Sequence, residues 1–161
     1  MRVHINLNVA DLDRSIAFYT RLFGAGPSKL RGDYANWRLD EPGLHLALVS
    51  RPGFEKQGRG EHFGIELQDN ELLGRWRGQA EAAGLALRIE EQVTCCYAVA
   101  DKWWVADPDG NEWEFWHRSD DAETMHGESM PMDTQSEAGC CAPPASVGRL
   151  KETAVSDDAP C

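Results

Sequence analysis

The order of predicted elements occurs twice along this chain, and that duplication limits its possible folds more than any other feature. In the first copy, an alternating strand over Val3–Val9 leads into a helix, and short strands follow. In the second copy the same order begins near His62. The glycines Gly24 and Gly84, which end the two predicted helices, lie 60 residues apart. The sequence therefore predicts an α+β fold built from two β-α-β-β-β repeats.

The repeats occupy about residues 1–50 and 61–117, so one domain over 1–117 is predicted. In the second repeat the pattern predicts strands over residues 85–89, 102–106 and 111–116. The remaining segment, 118–161, is acidic, contains cysteines and has few large apolar residues. Such a segment buries too little apolar surface to offset the entropy lost on ordering. It is therefore predicted to be a flexible or disordered tail.

The net charge of −11 argues against nucleic-acid and anionic-membrane partners, because phosphate-rich surfaces attract basic proteins. No stretch approaches the roughly 20 apolar residues of a membrane-spanning helix. The N-terminus alternates like a strand and lacks the pattern of a signal peptide. A cytoplasmic protein is therefore predicted.

Three potential ligands for a hard metal ion occupy related places in the two repeats. His4 and His62 lie on the first strand of each repeat, and Glu114 lies on the last strand. If the repeats pair about a pseudo-twofold axis, two imidazoles and one carboxylate converge as the facial triad of non-haem Fe(II) enzymes. Ala47 occupies the position that matches Glu114, so the set leaves open coordination positions. Ordinary half-buried histidines and a solvent-facing glutamate fit the same spacing, and both interpretations stay open.

Cys95 and Cys96 form the strongest soft-ligand signal in the chain. Thiolates select thiophilic centres such as Cu(I), Zn, Cd or trivalent arsenic, and in a reducing cytosol adjacent cysteines are typical of metal or redox sites. Neighbouring side chains in a regular strand face opposite ways, so joint ligation requires irregular backbone. The sequence therefore predicts a loop over residues 92–98. Incidental cysteines are the alternative.

Other candidate groups have lesser predicted roles. Cys140 and Cys141 repeat the thiol pair within the tail, where they are predicted to be accessory thiols that capture a soft centre and deliver it. Lys102 is predicted to be a solvated lysine, and the alternative is that its charge activates a nearby thiol. Surface positions are predicted for the remaining histidines, which are His45, His117 and His126.

Three segments carry a family resemblance. They read RVHINLNVADLDRSIAFYTRLFGAGPSKLRGDYANW, EHFGIEL and TCCYAVADKWWVADPDGNEWEFW, and they fall within residues 1–117. With its duplicated fold and with His, His and Glu on the first, fifth and last strands, the chain resembles the vicinal oxygen chelate (VOC) superfamily of glyoxalases, bleomycin-resistance proteins and dioxygenases. Within that superfamily, the segments are similar to the C–As lyases of arsenic resistance and to cadmium-induced proteins.

The resemblance implies a VOC-type cleft and an Fe(II)-dependent dioxygenase that cleaves the carbon–arsenic bond of trivalent organoarsenicals such as methylarsenite. Arsenite would be the inorganic product. The resemblance assigns His62, Glu114 and His4 as metal ligands, and Cys95 and Cys96 as the arsenic-binding thiols. Some relatives have Gln at the position of His4. The expected partners are a small-molecule arsenical and O₂, and the expected assembly is a monomer or homodimer.

Several other functions share parts of this pattern. A non-catalytic arsenic- or cadmium-binding protein would need the cysteines but not the histidines or Glu114. An extradiol ring-cleaving dioxygenase would leave Cys95 and Cys96 unexplained, and a glyoxalase-type isomerase would need a fourth ligand where this chain has Ala47. A drug-binding resistance module would use the same cleft without iron chemistry.

Overall fold

The computed structural model describes residues 1–56 and 62–125, which all belong to one compact unit, Met1–Glu128. The elements of the first half are β1 (Val3–Val9), α1 (Leu12–Phe23), β2 (Lys29–Arg31), β3 (Tyr34–Arg38) and β4 (Leu44–Ser50). Those of the second half are β5 (Phe63–Glu66), α2 (Asn70–Ala82), β6 (Arg88–Cys95), β7 (Ala98–Ala106) and β8 (Glu112–Asp121). This order confirms the predicted α+β fold with two β-α-β-β-β repeats.

Each half builds a four-stranded mixed sheet with an equivalent strand order. The orders are β1-β4-β3-β2 and β5-β8-β7-β6, and in both sheets the first and last strands of the repeat pair in parallel. Asn6 lies opposite Ala47 in the first sheet, and Gly64 lies opposite Glu114 in the second. Ala47 and Glu114 therefore occupy matching places, as the turn spacing predicted.

Both helices begin at a capping aspartate. The side chain of Asp11 accepts a hydrogen bond from the Arg14 N–H at 3.0 Å, and Asp69 accepts one from the Leu72 N–H at 2.7 Å. These bonds satisfy amide groups that have no partner within a helix. Gly24 ends α1 with φ of 65°, in the left-handed region that glycine enters at little cost.

Aromatic residues from both halves form the centre of a single hydrophobic core. Trp103 of β7 stacks on Phe115 of β8 with ring centroids 4.1 Å apart, and Tyr19 of α1 contacts Trp37 and Trp113. All five side chains are almost completely buried. The second sheet therefore has one face committed to the core, and its polar chemistry lies on the other face.

A buried polar cluster connects α1 to the turn between β7 and β8. Tyr19 donates a hydrogen bond from its hydroxyl to Asp107 Oδ2 at 2.6 Å, and the Trp113 Nε1–H donates to the Tyr19 hydroxyl at 3.1 Å. Asp109 accepts hydrogen bonds from the Ala10 N–H and from the Ser15 hydroxyl. This cluster joins the first half to the second around fully paired polar groups.

The structure corrects three predicted strands. The predicted strand over residues 85–89 is wrong, because β6 starts at Arg88 and continues to Cys95. β7 begins at Ala98 rather than Lys102, and β8 continues to Asp121, past the predicted end at 116. Antiparallel pairing with neighbouring strands extends all three, and the added residues lack the alternation of apolar and polar residues by which a strand is predicted.

β8 also runs past the predicted domain boundary at residue 117. The predicted tail from residue 126 onward lies outside the described residues. Within the part of the chain that the structure describes, neither helix is long and apolar enough to cross a membrane.

Candidate active site

A histidine and a carboxylate meet on the face of the second sheet opposite the hydrophobic core. His62 precedes β5, and its Nε2 lies 3.3 Å from Oε2 of Glu114 on β8. The imidazole ring packs edge-on against Trp104, with ring centroids 4.9 Å apart. Glu114 is only 8% exposed, so this carboxylate keeps little contact with water. The structure thus brings together two of the three predicted hard ligands.

The second carboxylate oxygen of Glu114 is held by a lysine. Lys102 Nζ lies 2.9 Å from Glu114 Oε1, and the lysine is 7% exposed. Its ammonium group also lies 5.6 Å from the ring centroid of Trp104. The prediction of a solvated lysine is therefore wrong: Lys102 is the buried counter-ion of the site carboxylate.

Strand register explains why these side chains converge. Trp104 on β7 and Gly64 on β5 lie on either side of Glu114 in the sheet. Lys102 is two residues before Trp104 on β7, so its side chain lies on the same face. Gly64 places no side chain over the carboxylate. The intervening residue, Trp103, faces the core, so the period of two along β7 separates packing from chemistry.

His4 does not join the pair. Its ring stacks on His45, with centroids 4.4 Å apart, because the two residues lie opposite each other on β1 and β4. Among residues 1–56 and 62–125, no group of three His, Cys, Asp or Glu side chains is placed to hold a metal ion. The three-ligand arrangement predicted from the repeat spacing is therefore not assembled in this conformation.

The other histidines are more involved in the fold than predicted. His45 is half-buried, and its Nε2 lies 3.3 Å from Asn36 Nδ2. Loss of solvation, followed by the positive charges of His4, Arg38 and Arg2, lowers the pKa of His45.

His117 is also half-buried, with Nδ1 3.0 Å from the carbonyl oxygen of Leu67. His45 and His117 are therefore partly buried and each has a polar partner, whereas fully exposed surface positions were predicted. His126 lies outside the described residues.

The vicinal cysteines lie at the tip of the β6–β7 hairpin. Cys95 is the last residue of β6, and Cys96 and Tyr97 form the two-residue turn, with positive φ values of 55° and 64°. The predicted loop over 92–98 is therefore wrong in extent, because only the two turn residues leave the strands. The turn nevertheless provides the irregular backbone that joint ligation requires, and the two Sγ atoms lie 3.4 Å apart.

The two sulfur atoms differ in their surroundings. Cys96 is a free and exposed thiol, whereas Cys95 is 8% exposed and disulfide-bonded. A chelate through both sulfurs therefore needs Cys95 in its reduced form. The segment after β8 holds the turn through two main-chain hydrogen bonds of 2.8 Å. The Cys96 N–H donates to the Met125 carbonyl, and the Ala122 N–H donates to the Tyr97 carbonyl.

The thiol turn and the carboxylate share one face of the sheet but lie at different levels. Cys95 pairs with Ala98, and Glu114 pairs with Trp104. The two partners on β7 are six residues apart, which corresponds to about 20 Å of extended strand. A ligand held by the thiols therefore reaches Glu114 only if the hairpin tip bends toward it.

The donor chemistry of the His62–Glu114 pair fits the predicted iron. An imidazole nitrogen and a carboxylate oxygen are ligands that Fe(II) and other first-row divalent cations accept. Oε2 faces His62, while Lys102 occupies Oε1. The pair supplies two adjacent donors on one buried face, and the remaining ligand has to come from His4 or another group.

Sequence reasoning missed the basic and aromatic groups around this pair. Arg88 lies 4.7 Å from the ring centroid of Trp104 and forms ion pairs with Glu90 and Glu112. Parity along β7 is the signal that could have revealed Lys102 and Trp104, since both alternate with core residues. The predicted accessory thiols Cys140 and Cys141 lie outside the described residues.

Proteins related in sequence extend over nearly the whole chain. A trivalent organoarsenical cleaving enzyme from Bacillus sp. (strain MD1) is 38% identical, over 91% of this chain and 93% of the relative. The cadmium-induced protein CadI of Mycobacterium tuberculosis is also 38% identical, over 91% of this chain and 97% of the relative.

A solved structure and a family profile agree with these relatives. The crystal structure of a glyoxalase/bleomycin resistance protein/dioxygenase from Alicyclobacillus acidocaldarius superposes with a TM-score of 0.63 at 18% identity, covering 74% of this chain and 92% of that one. That likeness concerns the fold. The profile of the Glyoxalase/Bleomycin resistance protein/Dioxygenase superfamily matches residues 2–115. This chain therefore belongs to the glyoxalase/bleomycin resistance protein/dioxygenase superfamily, the VOC group.

Proposed function

We propose that this protein is a non-haem Fe(II)-dependent dioxygenase that cleaves the carbon–arsenic bond of trivalent organoarsenicals and releases arsenite. The observation that carries the proposal is the pairing of two chemistries on one sheet face. His62 and Glu114 offer donors for a hard cation, and Cys95 and Cys96 offer adjacent sulfurs for a soft centre. Relatives named for cleaving trivalent organoarsenicals support the same substrate class.

The thiol turn would bind and orient the substrate. In the reduced protein, the two thiols exchange with the two hydroxyl groups of a monosubstituted arsenous acid, so that two As–S bonds form, two As–O bonds break and two water molecules leave. The organic group keeps its bond to arsenic. Pentavalent arsenicals lack this affinity for thiols, so the turn confers selectivity for the trivalent state.

The polar face of the second sheet would hold the iron. His62 and Glu114 are the proposed ligands here, with His4 as the third after it leaves its stack on His45. When bound, Fe(II) supplies the binding and activation of O₂. Trp104 and Lys102 shield the carboxylate from water. Holding the organoarsenical within the same molecule makes cleavage an intramolecular event, which positioning favours strongly.

The proposed setting follows from the thiols. Joint ligation needs Cys95 and Cys96 reduced, and the reducing cytoplasm maintains that state, so we infer a cytoplasmic protein whose partners are a small-molecule arsenical and O₂. The protein would act as a monomer or homodimer.

Arsenic speciation tests the proposal. The reduced protein is loaded with Fe(II) without oxygen, mixed with methylarsenite and exposed to O₂, and the arsenic species are separated by chromatography. We expect arsenite only with both iron and O₂, and a loss of at least about a hundredfold in Glu114→Gln and Cys96→Ser. Glu112→Gln, on the same face of β8, is the matched control for Glu114→Gln and should keep the activity.

Sequestration is the second candidate, and the distance between the thiol turn and Glu114 favours it. A non-catalytic arsenic- or cadmium-binding protein needs the sulfurs alone. In that case the arsenical binds tightly without yielding arsenite, and Glu114→Gln leaves binding unchanged while Cys96→Ser removes it. This outcome would reject the dioxygenase.

A further inference from the structure

Lys102 is the least expected group at the site, because a cation here faces the position where a metal ion would bind. Its Nζ lies 2.9 Å from Glu114 Oε1, while Glu114 Oε2 faces His62. Both charged residues are buried, at 7% and 8% exposure. A buried carboxylate needs a partner, and in this conformation Lys102 provides that partner.

We propose that Lys102 is the positioning residue of the cation site, where it opposes cation binding while fixing how Glu114 coordinates. This inference rests on the proposed function, since it concerns the same His62–Glu114 pair. By engaging Oε1, the ammonium group leaves only Oε2 for a cation shared with His62. Glu114 then acts through one oxygen, and more coordination positions stay free for other ligands.

The charge of Lys102 has a second consequence. A divalent cation beside Glu114 experiences repulsion from the ammonium group a few ångströms away, and even water-like screening leaves enough repulsion to weaken affinity about tenfold. Without a bound cation, the same ammonium group stabilises the buried carboxylate. Lys102 therefore raises the stability of the metal-free protein and lowers its affinity for the cation.

The test is Mn(II) binding, because Mn(II) favours carboxylate oxygen over the soft thiolates of the β6–β7 turn. The full-length reduced protein is titrated with Mn(II) alone, with free Mn(II) followed by electron paramagnetic resonance and unfolding followed in urea without metal. For Lys102→Met we expect about tenfold tighter Mn(II) binding together with a lower urea midpoint. If Lys102 served the fold alone, Lys102→Met would lower both the stability and the Mn(II) affinity, and that result would overturn the inference.

Matched variants separate charge from packing. Arg88→Met removes an equal charge from a residue on the same face that contacts Trp104 but not Glu114, so its Mn(II) affinity should change less than about threefold. Lys102→Arg keeps the charge and should also bind within about threefold of the unmodified protein. If either variant binds as tightly as Lys102→Met, the inference is wrong. If Lys102→Met does not fold, Lys102→Gln replaces it with the same expected gain.

The failures of the two proposals are distinguishable. Glu114→Gln should abolish Mn(II) binding in every background, since it removes the anionic donor. Binding that survives Glu114→Gln, or the absence of binding in both the unmodified protein and Lys102→Met, would reject this inference. The organoarsenical proposal is decided separately by arsenic speciation with Fe(II) and O₂.

Discussion

At the scale of single residues, the buried carboxylates of Glu114 and Asp107 differ in their partners, and those partners indicate different roles. Asp107 accepts hydrogen bonds from the Tyr19 hydroxyl and from the backbone and side chain of the following turn. These are neutral donors that no ligand would displace. Glu114 is held by Lys102 and His62, which are groups that a metal ion competes with or joins. Asp107 therefore belongs to the fold, whereas Glu114 is available for chemistry.

Tyr19 offers a test of the buried cluster at the residue scale. Burial, followed by the negative charge of Asp107 and the hydrogen bond to it, raises the pKa of the Tyr19 hydroxyl well above its ordinary value near 10. Tyr19→Phe removes one donor from Asp107 and leaves the Trp113 N–H without its acceptor. We expect it to lower the free energy of unfolding by about 1–3 kcal/mol at neutral pH.

The pH dependence gives that prediction its sign. Because the pKa of Tyr19 is higher in the folded than in the unfolded state, its contribution is fully present below about pH 10 and declines as the pH rises further. The stability difference between the unmodified protein and Tyr19→Phe, measured by urea unfolding at about pH 8 and about pH 11, should therefore shrink at the higher pH. A difference that grows with pH would contradict the assignment.

At the scale of one element, the turn of the β6–β7 hairpin has a strained backbone. Cys96 and Tyr97 both have positive φ, which two-residue hairpin turns demand and which Asn and Gly meet at lower cost. Tyr97 is 58% exposed, so its ring gains little from packing. Cysteine is therefore an unfavourable residue for turn stability at this position, which supports a role for its sulfur.

Relief of that strain is measurable. We expect Tyr97→Gly to raise the free energy of unfolding by up to about 1 kcal/mol, because glycine adopts positive φ without a steric penalty. Val99→Gly is the control, since it lies in β7 outside the positive-φ turn, and it should destabilise. Urea unfolding of the two variants checks both signs. A loss of stability in Tyr97→Gly would show that the tyrosine ring contributes to the fold.

Local pattern determines how far the elements could be predicted. β1 has its predicted bounds, and α1 and α2 end within two residues of the predicted glycines, because the periodicity and the end signals lie within each segment itself. The strand predicted over 85–89 arose from Leu85 and Leu87, which pack on the core without joining the ladder, whereas β6 itself is largely polar. The short β2, with every residue exposed, leaves no apolar pattern to read.

The candidate site likewise contains features that could be predicted from the sequence and features that could not. The predicted ligand set included His62 and Glu114, which lie at the first and last strands of the second repeat, and these strands pair in parallel in the second sheet. The pairing of Lys102 with Glu114 and the stacking of His4 on His45 could not be predicted, since each depends on a partner supplied by another strand. Contacts between strands depend on register, and register is not visible in a single segment.

The two halves act as one unit at the scale of the whole molecule, because they share a core and the Tyr19 cluster. A cation that binds only the folded protein should therefore stabilise the entire unit. At a free Mn(II) concentration 100 times its Kd, we expect the free energy of unfolding to rise by about 2.7 kcal/mol.

Denaturant unfolding with and without Mn(II) measures that gain. A chelator should reverse it, and Glu114→Gln should lack it. A gain of the same size in Glu114→Gln would place the cation elsewhere in the molecule.

Trp104 gives this site an optical consequence. Its indole ring lies 4.9 Å from the His62 ring and beside Lys102, whereas Trp103 and Trp113 lie in the core. Fluorescence quenching by a bound transition metal falls steeply with distance, so the Trp104 indole should lose more emission than the core indoles of Trp103 and Trp113. The protein therefore contains a built-in emitter through which occupancy of His62 and Glu114 can be followed in real time, without a label.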